Sequence, residues 1–305
     1  MMMEPGKSGI GSIESHAGKI AVGGGWRGFV ATRYRDGESL SMEEWRRVLE
    51  DVDGLVDGGA KVLKKGSLVD VVCGELEIGG IKRKVVIKRM LPENGLRGFC
   101  RSLLRGKAVR NFRTAMRLVR YGIPTAYPLA GIERRVAGSS RENIFIAEYI
   151  PESTNLYNYF HDECGRVSQD AGLKANIGKQ VGQILAQMHK GGLWHRDAKG
   201  GNFLVEGKGR SRPRVLLVDM DGIKRYGPRR GECRWRPFVK LGATLMASPA
   251  IYVSDYLRSF RIYCNLTGVG RDEMQRRFRR ISREATGVRL LTAAKAAMKQ
   301  AREDK

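Results

Sequence analysis

The stretch "GGLWHRDAKGGNFLV", Gly191 to Val205, places an acid, Asp197, five residues before an amide, Asn202. Two glycines lie between them, and the apolar run that follows is typical of a short strand. Further along the chain, "RVLLVDMDG" contains a second apolar run, which ends just before Asp219. If the two runs form a hairpin, Asn202 and Asp219 will lie close together. The spacing therefore predicts a cluster of oxygen-bearing side chains beside a hairpin.

This cluster has the composition of a phosphoryl-transfer site. One amide oxygen and one carboxylate suit Mg²⁺, which keeps waters and takes further ligands from substrate phosphates, so we interpret Asn202 and Asp219 as metal ligands. Asp197 then orients a hydroxyl and accepts its proton. Lys199, two residues beyond that acid, is placed to reach the transferred phosphate. Asp197 and Lys199 are therefore the candidate catalytic residues.

Upstream, residues 60 to 90 are rich in β-branched side chains and are divided at Gly66 and at the pair 79–80. This pattern predicts a three-stranded antiparallel meander. Within it, "VVIK" places Lys88 on an internal strand, where its ammonium group can bind the α and β phosphates of a nucleotide.

The remaining pattern indicates an α+β protein. A helix begins after Ser41, another is predicted around 101–122, and two strands follow in "AYPLAGIERRV" and "ENIFIAEYI". From residue 151 onward the pattern is mainly helical. We expect a small antiparallel sheet with one helix in 41–150 and a larger helical part in 151–305. Residues 1–40 are an N-terminal extension without an assigned structure.

The charge of the chain favours an anionic partner. Fifty-six Lys and Arg face 32 Asp and Glu, a formal net charge of +24. Nucleic acid is an unlikely target because no aromatic residues alternate with the basic ones in the C-terminal helices. Five scattered cysteines without CxxC spacing suggest neither a disulfide framework nor zinc. No apolar run reaches about eighteen residues, so we expect a cytoplasmic protein, at most peripheral to the inner membrane.

Two sets of residues resemble known kinases. His195-Arg196-Asp197 with Asn202 resembles the protein-kinase catalytic loop, Asp219 its metal-binding Asp, and Lys88 its strand lysine. The metal motif is "VDMDG" and not Asp-Phe-Gly. Together with "RYGIPTAYPLAGIERR" and "FIAEYIPESTNL", it is similar to the Kdo/WaaP lipopolysaccharide kinase family.

The resemblance implies a two-lobed protein kinase-like fold that binds ATP and Mg²⁺ between its lobes and phosphorylates a sugar hydroxyl of the lipopolysaccharide inner core. Its acceptor would be an anionic sugar at the cytoplasmic membrane face. It further implies that Gly66 and Ser67 belong to a loop that covers the phosphates. Glu148 to Ile150, after the strand "IFIA", would be the hinge that presents backbone groups to adenine.

The sequence departs from kinase patterns in two ways and leaves alternatives open. The helix between Arg101 and Tyr121 has no acid to pair with Lys88, so water, Asn111 or an acid such as Glu93 would orient that lysine. The phosphate loop has one glycine where protein kinases have three. The alternatives are an atypical Ser/Thr protein kinase, a small-molecule phosphotransferase, or a nucleotide-binding scaffold without catalysis.

Overall fold

The computed structural model describes residues 16–57, 61–92, 106–207, 209–227 and 230–303. The chain divides into two compact units. The first, called here the sheet unit, comprises the residues up to Arg120 together with 126–149. The second, the helical unit, comprises 121–125 and the chain from Ile150 onward.

The sheet unit contains one antiparallel sheet of seven strands, in the order β1-β2-β6-β7-β5-β4-β3. Its strands are β1 (Ala17–Val22), β2 (Trp26–Ala31), β3 (Lys61–Lys64), β4 (Val69–Ile78), β5 (Ile81–Met90), β6 (Pro128–Val136) and β7 (Ser139–Glu148). The predicted meander is present as β3, β4 and β5, and Gly79 and Gly80 adopt the positive φ angles that a tight hairpin turn requires. The antiparallel sheet of the predicted α+β class is therefore confirmed.

The expectation that only one helix accompanies the sheet was wrong, whereas the helix predicted after Ser41 is present. The sheet unit contains α1 (Met42–Val48), α2 (Val52–Asp57) and α3 (Lys107–Arg120). Ser41 caps α1 and forms a capping box with Glu44, and Trp45 buries its ring while its Nε1 donates to the Ala31 carbonyl at 2.7 Å. The helix predicted around 101–122 is observed as α3, and 101–105 lie outside the described residues.

Strands β1 and β2 lie in the segment to which the sequence analysis assigned no structure. The start of β2 is rich in glycine: "GGGWRGF" has few of the β-branched residues that indicate a strand. A Cβ on Gly28 would lie 2.2 Å from the Gly131 carbonyl oxygen of the neighbouring strand β6. Glycine is thus required there by the close approach of two backbones, which removes the sequence signal of the strand.

The helical unit combines long helices with short strand pairs. Its elements are β8 (Ser153–Asn155), α4 (Leu156–Asp162), α5 (Cys164–Gln169), α6 (Ala171–Lys190), β9 (Leu193–His195), β10 (Phe203–Glu206), β11 (Arg214–Leu217), β12 (Ile223–Arg225), α7 (Arg230–Cys233), α8 (Arg236–Leu245), α9 (Val253–Thr267) and α10 (Arg271–Glu303). Helix α6 packs closely on α9, where Ser259 Oγ donates to the Gly178 carbonyl at 2.9 Å. None of the described helices is long and apolar enough to cross a membrane.

Two strand pairs determine where the predicted site residues lie. The predicted hairpin forms between β10 and β11, with Phe203 opposite Leu217. Strand β12 pairs with β9, with Ile223 opposite His195. The loop that contains Asp197 joins β9 to β10, and the loop that contains Asp219 joins β11 to β12. Each loop therefore runs from one strand pair to the other.

Candidate active site

His195 is the buried anchor of the loop that contains Asp197. Its side chain has no exposed surface, and its Nδ1 accepts the Asp197 N–H at 3.1 Å. Burial lowers the pKa of His195, and the nearby carboxylates of Asp219 and Asp197 only partly oppose this effect. The ring is therefore neutral near pH 7, with its proton on Nε2. Because Nδ1 is occupied by a backbone donor, His195 positions the loop and does not act as its base.

The loop that contains Asp219 packs directly against this histidine. The Arg196 N–H donates to the Gly222 carbonyl at 2.8 Å, extending the β9–β12 pairing by one residue. A Cβ on Gly222 would lie 2.2 Å from the Cε1 atom of His195. Only glycine allows this contact, so "VDMDG" and "HRD" fit together through one residue without a side chain.

Asp197 lies in a tight loop that its own backbone stabilises. Its carbonyl accepts the Lys199 N–H at 2.9 Å and the Asn202 Nδ2 at 2.7 Å. Its carboxylate is 41% exposed and lies 3.2 Å from Lys199 Nζ, which is 49% exposed. A pair this exposed contributes little to stability, about 0–1 kcal/mol, so its partners can exchange readily when another anion binds.

Asn202 is held with its oxygen available. The side chain is buried, and its Nδ2 donates to a carbonyl, which fixes the orientation of the amide. In the described part of the chain, no donor is bonded to Oδ1. The Asn202 carbonyl accepts the Val218 N–H at 2.9 Å, so the residue next to Asp219 is bonded to Asn202.

Asp219 adopts a left-handed backbone conformation, with φ 64° and ψ 78°. Such a conformation is uncommon for a residue other than glycine and costs about 1–2 kcal/mol. Strained backbone of this kind is concentrated at functional sites. Asp221, two residues on, is half-buried in the following turn.

The donor set fits a magnesium ion. Asn202 and Asp219 supply hard oxygens, and Mg²⁺ in nucleotide enzymes takes most other ligands from water and phosphate. Among the described residues, no three His, Cys, Asp or Glu side chains form a metal-binding group. A site with one amide and one carboxylate does not need such a group, because the nucleotide supplies the remaining oxygens.

Two hydroxyl groups that support the loops were missed by the sequence analysis. Thr244 on α8 accepts the buried Gly200 N–H at 2.9 Å through its Oγ1. Thr125 donates from its Oγ1 to the Leu217 carbonyl at 2.7 Å, two residues before Asp219. Neither threonine has a local signal, since the partners are 44 and 92 residues away along the chain.

In the sheet unit, Lys88 lies on the interior strand β5, opposite Val71 of β4 and Phe145 of β7. Its side chain is half-buried. Asn111, one suggested partner, is buried on α3, whereas Glu93 lies outside the described residues.

Gly66 and Ser67 form the loop between β3 and β4. The Ser67 side chain is exposed. The Gly66 N–H donates to Asp70 Oδ1 at 3.1 Å, so in this conformation that N–H is used within the loop.

Glu148 and Ile150, the residues predicted to form a hinge, already use part of their backbone. The Glu148 N–H donates to the Tyr127 carbonyl at 2.9 Å, and the Ile150 carbonyl accepts from Ser153 Oγ at 2.7 Å. The Glu148 side chain forms an ion pair with Arg35.

A model of the lipopolysaccharide kinase (Kdo/WaaP) family matches residues 82–237, just over half of the chain. The chain belongs to this family. A solved structure described as "WaaP in complex with acyl carrier protein" is similar, with a TM-score of 0.56 and 19% sequence identity, covering 76% of this chain and 91% of that chain. That similarity shows a shared fold. A comparison with curated proteins finds no match.

Membership of the lipopolysaccharide kinase family confirms the resemblance drawn from the sequence and supports kinase activity. The matched range includes Lys88, Asp197, Asn202 and Asp219. It excludes the loop at 66–67 and also Thr244 on α8, which accepts the Gly200 N–H of the loop that contains Asp197 from beyond the range.

Proposed function

We propose that this family member is an ATP- and Mg²⁺-dependent kinase that phosphorylates a sugar hydroxyl of the lipopolysaccharide inner core. Asp197 accepts the proton of the acceptor hydroxyl, and Asn202 and Asp219 bind the metal ion. An Mg²⁺ ion held by these two residues would neutralise charge on the phosphoryl group during its transfer. The net charge of +24 favours an anionic acceptor such as a core sugar at the cytoplasmic membrane face.

The hydrogen bond from Asn202 Nδ2 to the Asp197 carbonyl, at 2.7 Å, carries this proposal. It connects the catalytic acid to a metal ligand and leaves Asn202 Oδ1 as the only ligand atom of the amide. The Val218 N–H bond to the Asn202 carbonyl brings the second metal loop beside the first. A structural turn would not need the strained backbone of Asp219.

Lys199 has two successive partners in this mechanism. Without nucleotide it pairs with Asp197 at 3.2 Å. When ATP binds, Lys199 turns to the γ-phosphate and releases the carboxylate, which is then available as an acceptor for the proton. Lys88 binds the α and β phosphates as a point charge, and Ser67 with the backbone near Gly66 covers them.

The nucleotide base is recognised by backbone groups. The carbonyl of Glu148 accepts from the adenine amino group, and the N–H of Ile150 donates to the adjacent ring nitrogen. The support for these roles is that the opposite groups, the Glu148 N–H and the Ile150 carbonyl, are already bonded.

The test is transfer of labelled γ-phosphate from ATP to dephosphorylated inner-core lipopolysaccharide, with and without Mg²⁺. We compare the full chain with Asp197→Asn and Asp219→Asn, and with Asp162→Asn as a matched control, since Asp162 is an exposed acid at the end of α4. Transfer should fall at least about a hundredfold in the first two variants and remain unchanged in the control.

Three results distinguish the alternatives. ATP turnover without transfer to the glycolipid would support the use of ATP by this protein and would reject the lipopolysaccharide core as its acceptor. Labelling of a protein acceptor would favour an atypical protein kinase. ATP binding without turnover in any condition would favour a nucleotide-binding scaffold.

A further inference from the structure

Helix α10 has one face that packs against the helical unit. Met274, Ile281 and Ala285 are buried, and the Phe278 ring contacts the rings of α9. A Cβ on Gly242 of α8 would lie 3.2 Å from the Ala285 Cβ, so the two helices approach closely. With about 100° of rotation per residue, these four residues form a single stripe.

The opposite side of the helix carries a second, different stripe, called here the exposed face of α10. It contains Arg276, Arg279, Arg283, Leu290, Leu291 and Met298. The spacings of three, four and seven residues place them within about a third of the helix circumference. Leu290, Leu291 and Met298 are 61%, 64% and 67% exposed. The apolar residues of the last turns therefore do not continue the packed stripe; they lie on the other side.

The same arc also carries Arg280 and two acids, Asp272 and Glu273, so four arginines stand against two acids. Glu273 and Glu284 pair with Arg277 and Arg280. Among the described residues, no carboxylate pairs with Arg276, Arg279 or Arg283. One face of a single helix is thus cationic in its first half and apolar in its second half.

We propose that the exposed face of α10 docks on an anionic lipid surface, with its arginines on the headgroup phosphates and its leucines and methionine among the acyl chains. A basic helix with an exposed apolar ridge has the composition of an interfacial helix. Charge complementarity selects an anionic surface, because three unpaired arginines adjoin the apolar ridge.

A lipid surface explains this face better than a protein partner does. A stable protein interface buries about 1,200–2,000 Å² in total and has a complementary surface around its core. Leu290, Leu291 and Met298 form a ridge on a helix segment that is exposed on all sides from 289 to 294. Such a ridge can enter a fluid bilayer interface without any complementary shape.

Docking in this way would bring the kinase to a lipid-linked acceptor, but the inference does not depend on kinase activity. It is tested by sedimentation of the full chain with vesicles of phosphatidylcholine alone and of phosphatidylcholine mixed with phosphatidylglycerol. We expect binding to the mixed vesicles and none to the neutral ones. Each Arg→Gln change should weaken binding about fivefold, so the triple variant at 276, 279 and 283 should lose about a hundredfold.

Leu290→Ser, Leu291→Ser and Met298→Ser together should also lower binding about a hundredfold, because less apolar surface enters the lipid. Each of these variants has a control of the same chemistry. For the apolar variant, Val62→Ser with Leu63→Ser removes exposed apolar groups of the sheet unit. For the arginine variant, the control removes three positive charges from exposed positions of the sheet unit, by Arg46→Gln, Lys82→Gln and Lys84→Gln.

Binding by both controls within about twofold of the parent supports docking through this face. Equal losses in the charge control and in the arginine variant would show attraction by net charge and overturn the proposal. Failure of the parent to bind mixed vesicles, or capture of an acidic protein through this face without vesicle binding, would also overturn it. Kinase assays on the same samples are independent: unchanged transfer to a soluble core sugar leaves the proposed function standing whichever way the vesicles behave.

Discussion

Replacing Gly222 by alanine should test whether the two active-site loops fit together as the structure indicates. The new Cβ would lie 2.2 Å from His195 Cε1 and 2.6 Å from its Nδ1. Favourable contacts between carbon atoms occur at about 3.5–4.0 Å, so either the ring or the glycine loop must move. The ring has no exposed surface, so any movement must displace the residues packed around it.

The cost has two parts. Overpacking of a buried contact costs about 1–3 kcal/mol. Displacement of the ring also removes the acceptor of the Asp197 N–H, now at 3.1 Å, at about 1–3 kcal/mol for a donor left unsatisfied. We therefore expect Gly222→Ala to lower the free energy of unfolding by about 4 kcal/mol and the melting temperature by about 10 °C.

Gly227→Ala is the matched control, since a Cβ there has no atom within 4 Å and the φ angle is not positive. Both variants are measured by thermal unfolding and by Mg²⁺-dependent ATP turnover. Turnover by Gly222→Ala should fall further than its loss of folded protein explains, because the displaced ring no longer positions Asp197. Equal melting temperatures for the two alanine variants would refute the fit between the loops.

Three further outcomes are expected. Thr244→Val keeps the shape of the side chain but leaves the buried Gly200 N–H without its acceptor. The free energy of unfolding, measured in urea, should therefore fall by about 1–3 kcal/mol, and ATP turnover should fall as well. Asn202→Asp replaces the donor to the Asp197 carbonyl by a second acceptor, and both stability and turnover should drop in the same assays. Burial, aided by Arg234, lowers the pKa of His189 to about 3, below its ordinary 6.5. As the pH falls, the unfolded chain therefore takes up this proton before the folded protein does. The free energy of unfolding should fall by about 1.4 kcal/mol per pH unit between pH 6.5 and pH 3. In His189→Gln, the dependence of the free energy of unfolding on pH should be weaker by that amount.

Much of the fold was predictable because its periodic patterns are strong. The meander around Lys88, the long helix α6 and the hairpin of β10 and β11 all appear where alternation and helical spacing indicate them. Strand β2 was not predicted, because the close approach of the β6 backbone selects glycine at position 28 in place of a strand-forming residue.

The candidate site was predictable only in part, for a similar reason. Asp197, Asn202 and Asp219 are recognisable by their spacing, since their chemistry depends on residue type. The left-handed backbone of Asp219 and the role of Thr244 depend on contacts between segments far apart in the chain. Spacing in a single sequence carries no information about such contacts.

The structure also explains how "VDMDG" can stand where protein kinases have Asp-Phe-Gly. Two bonds that attach the loop to its neighbours are made by backbone groups: the Val218 N–H donates to the Asn202 carbonyl, and the Gly222 carbonyl accepts the Arg196 N–H. Those bonds form whatever the side chains are. Met220 follows Asp219 and is buried, as an apolar residue of similar size would be. Gly222 has a strict steric requirement, because the buried His195 ring takes the space of its side chain. A methionine at 220 therefore leaves these two backbone bonds in place, whereas position 222 requires glycine.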